Sequence, residues 1–233
     1  RRAHRPAAEA DTGNAMTALD SISIIIPALD EADRIGDTLR SLSKVVGSRG
    51  AEVIVVDGHP EKTTIQAIPK GPVRGIWGPK GRGAQLHTGA LASSGAILLF
   101  LHADTRLAPG ALARVREVLC DPEIAGGAFA LGIDAPGAAY RIIEKGANFR
   151  CRLTQIPYGD QAVFLRRNVY FTVGGFPPIP LMEDVDLMQR LKRGGHRIRL
   201  IRQPVRTSAR RWQKEGVVRC TLRNYALILL YLL

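Results

Sequence analysis

Three polar side chains stand at the ends of apolar stretches, where a ligand could reach them. Asp57 follows AEVIVV, Asp104 follows AILLFLHA, and His102 comes two residues before Asp104, on the same side of a continuing strand. A buried strand seldom ends in a carboxylate unless that group caps a helix, closes a turn or binds something. The two acids are therefore either strand-end caps or a pair that holds a base or ribose and a divalent cation such as Mg²⁺ or Mn²⁺. His102 is either a second metal ligand or a polar strand terminus.

The segment MEDVDLMQRL (182–191) carries three acids at helical spacing. The stripe that faces the core consists of Asp184, Leu187, Met188 and Leu191. Because burial raises the pKa of a carboxyl, Asp184 at the edge of this stripe is a candidate general base toward a hydroxyl, with a helix cap as the alternative. Asp186 aligns with arginines further along the helix and indicates a solvated ion pair, and Glu183 is a first-turn acid.

Two loops could contact a ligand. The glycine-rich, basic stretch KGRGAQLHTGA carries Lys80 and Arg82 at the start of a helix, where phosphate binds well, although an ordinary loop with solvated cations fits equally. The stretch PYGDQ places Asp160 and Gln161 in a turn. These two side chains could bind sugar hydroxyls or make an Asx turn.

Apolar runs alternate with amphipathic stretches from Ser21 onward. Runs typical of buried strands occupy residues 21–27, 51–57, 73–77, 96–104, 125–133 and 162–167. Predicted helices contain the stripes Ile35, Leu39, Leu42 and Val46, then Leu112, Val115 and Leu119 after Pro109, and finally residues 183–195. The order predicts an α/β fold with a mainly parallel sheet, helices on both faces and a mixed C-terminal half. Such sheets bind ligands beyond the carboxyl ends of their strands.

The composition favours one globular domain. The chain has 233 residues, of which 45% are hydrophobic and 23% charged, and this excludes a disordered or fibrous protein. The three cysteines lie too far apart in sequence for a disulfide framework or a metal knuckle, which indicates a reducing compartment. Residues 1–20 show no apolar periodicity and no secretory signal, and we expect a flexible tail. The catalytic domain is predicted to span residues 21–212.

The net charge of +12 is concentrated near the C-terminus. Residues 190–223 contain twelve Lys or Arg and one acid, whereas the remaining chain is nearly balanced. Residues 213–233 form a predicted basic and apolar helix, and its last nine residues are too few to span a bilayer. The segment favours an anionic membrane surface or a subunit contact. Nucleic acid is not expected there, because Trp212 is the single aromatic residue in the basic stretch.

Seven short motifs in a fixed order identify a relationship: SIIIPALDE, VVDG, KGRGAQ, LHADT, YGDQ, MEDVDL and SARRW. From about Ser21 to its end, the chain resembles the family 2 glycosyltransferases with the GT-A fold. Within that family it is similar to the small bacterial branch labelled arsenosugar biosynthesis glycosyltransferases. The resemblance implies transfer of a sugar from a nucleotide-diphosphate donor to a hydroxyl acceptor, small or lipid-linked, with inversion at the anomeric carbon.

The resemblance also assigns roles by position. The implied donor-binding residues are Pro27, Asp30, Glu31, Asp57, Lys80, Arg82 and Gln85. The implied ligands of Mn²⁺ or Mg²⁺ are Asp104 and His102. The implied acceptor site comprises Asp160, Gln161 and Glu183, and the implied catalytic base is Asp184, in agreement with the helix stripe. The implied location is the cytoplasm or the inner face of the plasma membrane.

Three positions depart from the family pattern. The usual Asp-x-Asp is His102-Ala103-Asp104, and HPEKT follows Asp57 in place of a serine and aspartate signature. Ser208 stands where processive synthases carry glutamine, so repeated chain extension is not expected. Two other functions remain open at this point: an enzyme that makes nucleotide sugars on a related sheet, and a non-catalytic protein that binds nucleic acid or another anion through residues 190–223.

Overall fold

The computed structural model describes residues 21–47 and 50–232 of the chain, so the tail predicted over residues 1–20 lies outside the described residues. The strands are β1 Ile22–Ala28, β2 Glu52–Asp57, β3 Val73–Trp77, β4 Ile97–Phe100, β5 Thr105–Arg106, β6 Ile124–Asp134, β7 Phe164–Arg166 and β8 Arg197–Ser208. The helices are α1 Ala32–Val46, α2 Thr63–Gln66, α3 Arg82–Ala92, α4 Ala111–Leu119, α5 Ala138–Thr154, α6 Arg167–Thr172, α7 Glu183–Arg193, α8 Arg210–Glu215 and α9 Val217–Leu232. A 3₁₀ turn covers Gly159–Gln161.

All eight of these strands belong to one sheet in the order β3-β2-β1-β4-β7-β6-β8-β5. The first four strands in this order are parallel, so β1, β2 and β4 end at the same edge. β7 is antiparallel to both of its neighbours, and β6 and β8 pair in parallel over most of their length. The predicted mainly parallel sheet with a mixed C-terminal half is confirmed.

Apolar side chains cover both faces of the sheet. Ile24 on β1 belongs to a core beneath α1 and α4, which includes Ile35 and Leu112. Ile25, the next residue, points to a second core beneath α3 and α7, which includes Leu86. Because successive side chains of a strand alternate, a run such as Ile24-Ile25-Ile26 is needed when helices cover both faces. This arrangement explains why the strands of the first half are continuous apolar runs.

The predicted strand over residues 96–104 is too long. β4 ends at Phe100, and the chain then turns, with the N–H of Thr105 donating to the carbonyl of His102 at 3.1 Å. His102 and Asp104 therefore lie in a turn, and the strand alternation expected to align them does not apply. The polar residues His102, Asp104 and Thr105 favour a turn over a further strand register.

The C-terminal half contains elements that the apolar pattern did not predict. They are α5, which has a single buried residue, Cys151, and the long strand β8. The predicted domain boundary after residue 212 falls inside α8, and the division itself stays a prediction. Over the described ranges, no helix combines the length and apolar character needed to cross a membrane.

Candidate active site

A cavity of about 610 Å³ lies beyond the carboxyl end of β4. Five of the predicted site residues line it: Arg82, His102, Asp104, Asp160 and Asp184. They come from α3, the turn after β4, the 3₁₀ turn and the start of α7, so the fold brings together residues that are 102 positions apart in sequence. The candidate metal ligand Asp104 and the candidate base Asp184 thus face the same space.

β5 and β8 hold the turn that carries Asp104. Thr105 pairs with Thr207 on β8, and the N–H of Ser208 donates to the Asp104 carbonyl at 3.2 Å. The two threonine hydroxyls also contact each other at 3.2 Å. Because β8 continues into α8, this pairing fixes the Asp104 carboxylate relative to the C-terminal wall of the cavity.

The surroundings of Asp104 favour a cation. Burial and the neighbouring carboxylate of Glu31 raise the pKa of Asp104, while Arg210 and Arg211 lower it. Glu31 forms ion pairs with Arg210 at 3.1 Å and with Arg34 at 3.5 Å, although its Oε2 accepts no hydrogen bond from the described residues. A positive ion would offset the repulsion between the two carboxylates.

His102 is a neutral ligand candidate. Its Nε2 is buried and has no hydrogen-bond partner among the residues that the structure describes. Burial, together with Arg82 and Arg211, lowers the pKa of His102 to about 3, so the imidazole is uncharged at neutral pH. An uncharged imidazole nitrogen without a partner can bind a metal ion. Within the described ranges, no three His, Cys, Asp or Glu side chains are arranged so that they could hold a metal ion together.

Asp184 is fixed by two backbone donors. Its Oδ1 accepts the N–H of Val185 at 2.8 Å, as in a helix first turn, and its Oδ2 accepts the N–H of Gly159 at 2.6 Å. Only 6% of Asp184 is exposed. Gly159 is required at this contact, because a Cβ at position 159 would lie 2.8 Å from His102 Nε2 and 3.2 Å from Asp184 Oδ2. The cap and the candidate base are therefore compatible roles of one oriented carboxylate.

Asp160 is the second acid beside Asp184. Burial and the charge of Asp184 raise the pKa of Asp160 to about 6, while Arg82 and Arg150 act in the opposite direction. Its neighbour Gln161 points into the protein, donating from Nε2 to the carbonyl of Phe129 at 3.1 Å and accepting the Tyr158 N–H at 3.1 Å. Of this predicted acceptor pair, Asp160 faces the cavity and Gln161 holds the turn.

Arg82 links the glycine-rich loop to α7. Its Nε donates to Glu183, which is 1% exposed and does not line the cavity. Burial alone would lower the pKa of Arg82, but the charges of Asp184 and Glu183 raise it. Glu183, predicted as an acceptor residue, lies behind Arg82 and neutralises it.

This pair leads to an asymmetric prediction for stability. Arg82→Met leaves Glu183 as an uncompensated buried charge, and we expect it to lower the free energy of unfolding by about 3–5 kcal/mol. Glu183→Gln should cost less, because the Arg82 side chain is 35% exposed and keeps water as a partner. Urea denaturation of both variants measures the difference. Equal losses would contradict the burial asymmetry.

Two predicted donor residues make internal contacts. The Asp57 carboxylate is fully buried and accepts the N–H groups of His59 (2.9 Å), Thr64 (2.8 Å) and Ile65 (3.1 Å), so it caps α2. The Nε2 of Gln85 donates to the carbonyls at 28 and 56 at the ends of β1 and β2. The contacts of Asp57 are those of a helix cap. A role of Asp57 or Gln85 in nucleotide binding stays a prediction.

The other predicted donor residues lie away from the cavity lining. Pro27 is buried in β1, Asp30 is exposed with its Oδ1 3.7 Å from His59 Nε2, and Lys80 is exposed in the loop before α3. Glu31 does not line the cavity, but it is close enough to Asp104 for its charge to raise the pKa of Asp104. Among the described residues, the structure therefore brings both candidate metal ligands and the candidate base to the cavity, but only Asp160 of the acceptor set and only Arg82 of the donor set.

Comparison with known proteins defines the family. Residues 23–178, more than half of the chain, match the family model described as Glycosyl transferase family 2. The chain is a family 2 glycosyltransferase. Of the cavity acids, Asp104 and Asp160 lie within the matched region, and Asp184 follows it by six residues.

Among curated proteins, the glycosyltransferase is 35% identical to glucosyl-3-phosphoglycerate synthase of Mycolicibacterium paratuberculosis (strain ATCC BAA-968 / K-10), over 98 residues. That alignment covers 36% of this chain and 28% of the synthase, so the chain spans much less than the relative's length. The arsenosugar branch stays a prediction.

Solved structures share the fold. The mannosyltransferase PcManGT from Pyrobaculum calidifontis, in complex with GDP-Man and Mn²⁺, aligns with a TM-score of 0.62 at 19% identity, over 88% of this chain and 64% of PcManGT. Residues 1–349 of S. aureus TarS align with a TM-score of 0.62 at 16% identity, over 81% of this chain and 60% of that one. The predicted GT-A fold is confirmed.

Several lining residues of the glycosyltransferase were not assigned roles from sequence. They are Tyr158, Gly159, Leu181, Met182, Thr207, Arg211, Trp212, Glu215, Arg223, Asn224 and Leu227. Most belong to β8, α8 and α9, whose position beside the cavity cannot be predicted from local patterns. The motif SARRW was the available signal, since Arg211 and Trp212 reach the cavity together with its first residue, Ser208.

Proposed function

We propose that this protein transfers a sugar from a nucleotide-diphosphate donor to a hydroxyl acceptor, with inversion, in single steps that a divalent metal assists. The observation that carries the proposal is the shared cavity of Asp104, Asp160 and Asp184 with Arg82. The complex of PcManGT with GDP-Man and Mn²⁺ supports the donor class and the metal.

The acidic residues of the cavity have different proposed roles. Asp104, with His102, would hold the metal. The buried Nε2 of His102 has no hydrogen-bond partner among the described residues, and burial together with Glu31 raises the pKa of Asp104, so both side chains fit that role. A bound Mn²⁺ or Mg²⁺ supplies charge stabilisation to the departing diphosphate. Asp184, oriented by Gly159 and Val185, takes the proton from the acceptor hydroxyl. Arg82, which is paired with Glu183, presents its guanidinium N–H groups to the same space.

The cavity also indicates the kind of acceptor. Arg211 and Arg223 line it, Arg223 in an ion pair with Glu215, and glucosyl-3-phosphoglycerate synthase is named for a phosphorylated product. We therefore propose a hydroxyl compound that carries a phosphate, free or lipid-linked. Ser208 in the lining supports one transfer per acceptor. We further propose peripheral attachment of residues 190–233 to the cytoplasmic face of an anionic membrane.

A donor screen tests this function. UDP, GDP, CDP and TDP sugars are added with and without Mn²⁺, and the melting temperature is followed, because a ligand that binds the native state raises it. We expect one base to give the largest shift, and only with Mn²⁺. Turnover should then release the nucleoside diphosphate. Release of pyrophosphate would instead indicate an enzyme that makes nucleotide sugars.

A pH dependence follows from Asp160. Because its pKa is raised in the folded state, the ionised carboxylate destabilises the fold at pH above about 6, and the penalty disappears as the pH falls toward the unfolded value. Asp160→Asn should therefore raise the free energy of unfolding by about 1–3 kcal/mol at pH 7.5 and by about half as much at pH 5.

Chemical denaturation at the two pH values measures this difference. Asp134→Asn, which changes an exposed acid, is the control and should show neither gain. A stabilisation by Asp160→Asn that is equal at both pH values would contradict the raised pKa.

A further inference from the structure

α5 is attached to the sheet by polar side chains. On one edge of β6, β7 pairs with only two residues, Gly126 and Gly127. The backbone N–H and carbonyl groups further along this edge therefore need other hydrogen-bond partners. Asn148 bonds both backbone groups of Leu131, at 2.7 and 3.0 Å. Glu144 accepts the N–H of Ile133 at 2.5 Å, and Arg141 donates to the Ile133 carbonyl at 2.8 Å. The polar face of this helix therefore points inward.

The opposite face of α5 is apolar and basic. Ile142, Phe149 and Leu153 are 70%, 63% and 68% exposed, and they follow helical spacing. Lys145 and Arg152 are exposed between them. The one acid of α5 faces the sheet, so this outer face carries cations alone. Surface helices of globular proteins normally show the reverse pattern, and contiguous exposed apolar side chains mark an interaction surface.

We propose that this outer face of α5, formed by Ile142, Lys145, Phe149, Arg152 and Leu153, docks onto the surface of an anionic lipid bilayer. Its apolar side chains enter the boundary between headgroups and acyl chains, and its two cations meet lipid phosphates. A second copy of the chain fits less well, because a two-fold contact through this face would bring the cations of both copies into one interface that offers no acid to pair with them.

The position of α5 agrees with this partner. At its first turn, the Tyr140 ring contacts Trp212, a cavity residue, with centroids 6.4 Å apart. α9 also lines the cavity and has two exposed apolar residues, Val218 (71% exposed) and Leu222 (64% exposed). The α5 face would be a second contact beside the one proposed for residues 190–233, and it can be tested without any transfer reaction.

Flotation with vesicles tests the proposal on the full chain. The vesicles contain either phosphatidylcholine alone or equal parts of phosphatidylcholine and phosphatidylglycerol. The wild type should bind the phosphatidylglycerol vesicles, and Phe149→Ser with Leu153→Ser should weaken this binding at least about 10-fold. Lys145→Glu with Arg152→Glu should weaken it most at low salt, because salt screens surface charge.

Leu91→Ser is the matched control, since Leu91 is 61% exposed on α3 and lies outside the proposed surface. It should bind vesicles like the wild type, and all variants should keep the wild-type circular dichroism spectrum. Phe149→Trp adds a reporter, whose fluorescence brominated lipids should quench. Three results would overturn the proposal: equal binding by the Phe149 and Leu153 variant, loss of binding only after Leu222→Ser, or a wild-type dimer that Phe149→Ser converts to monomer.

Discussion

Asp184→Asn is expected to lower the rate of sugar transfer by about 10²–10⁴-fold, because asparagine cannot accept the acceptor proton. The amide keeps the size of the carboxylate, and its oxygen can still accept the Gly159 N–H. Donor binding should therefore persist. The rate is measured as nucleoside diphosphate release at saturating donor, and binding as the donor-induced shift in melting temperature.

The matched control is Asp186→Asn, two residues further along α7. Asp186 pairs with Arg190 at 2.6 Å and does not line the cavity, so its loss should change stability slightly and turnover little. Unchanged turnover in Asp184→Asn would reject its role as the base. In that case Asp160, which lines the same cavity, is the next candidate for the base.

Asp104→Asn is the second variant with a large expected effect. It should remove the Mn²⁺-dependent part of the donor-induced melting shift and reduce turnover by at least about 100-fold, because the leaving diphosphate loses its charge stabilisation. Asp134→Asn serves again as the control. A donor shift in the wild type that is the same with and without Mn²⁺ would contradict the assignment of Asp104 as a metal ligand.

The strands in the first half of the fold could be predicted from the sequence, because buried parallel strands are continuous apolar runs. Ile24 to Ile26 could be recognised without knowing their partners, since both faces of β1 are covered. α5 could not be recognised in the same way. Its inward residues bond the backbone of β6 and its outward residues are apolar, so the usual relation between hydrophobicity and burial is reversed.

The candidate site was predictable in part for a similar reason. Asp184 could be placed from its own helix, because residues 187, 188 and 191 define the inward face, and the structure buries all of them. Asp57 could not be separated from a ligand-binding acid, because its role depends on which backbone N–H groups reach it. Three-dimensional contacts of that kind leave no periodic signal.

The match to the family model ends at residue 178. The turn with Asp104 lies within the matched region, whereas the cavity wall formed by β8, α8 and α9 follows it in the chain. On the proposed function, metal chemistry and substrate choice are thus encoded in consecutive parts of the gene. Changes in β8, α8 and α9 would therefore alter the acceptor side of the cavity and leave the turn that carries Asp104 in place.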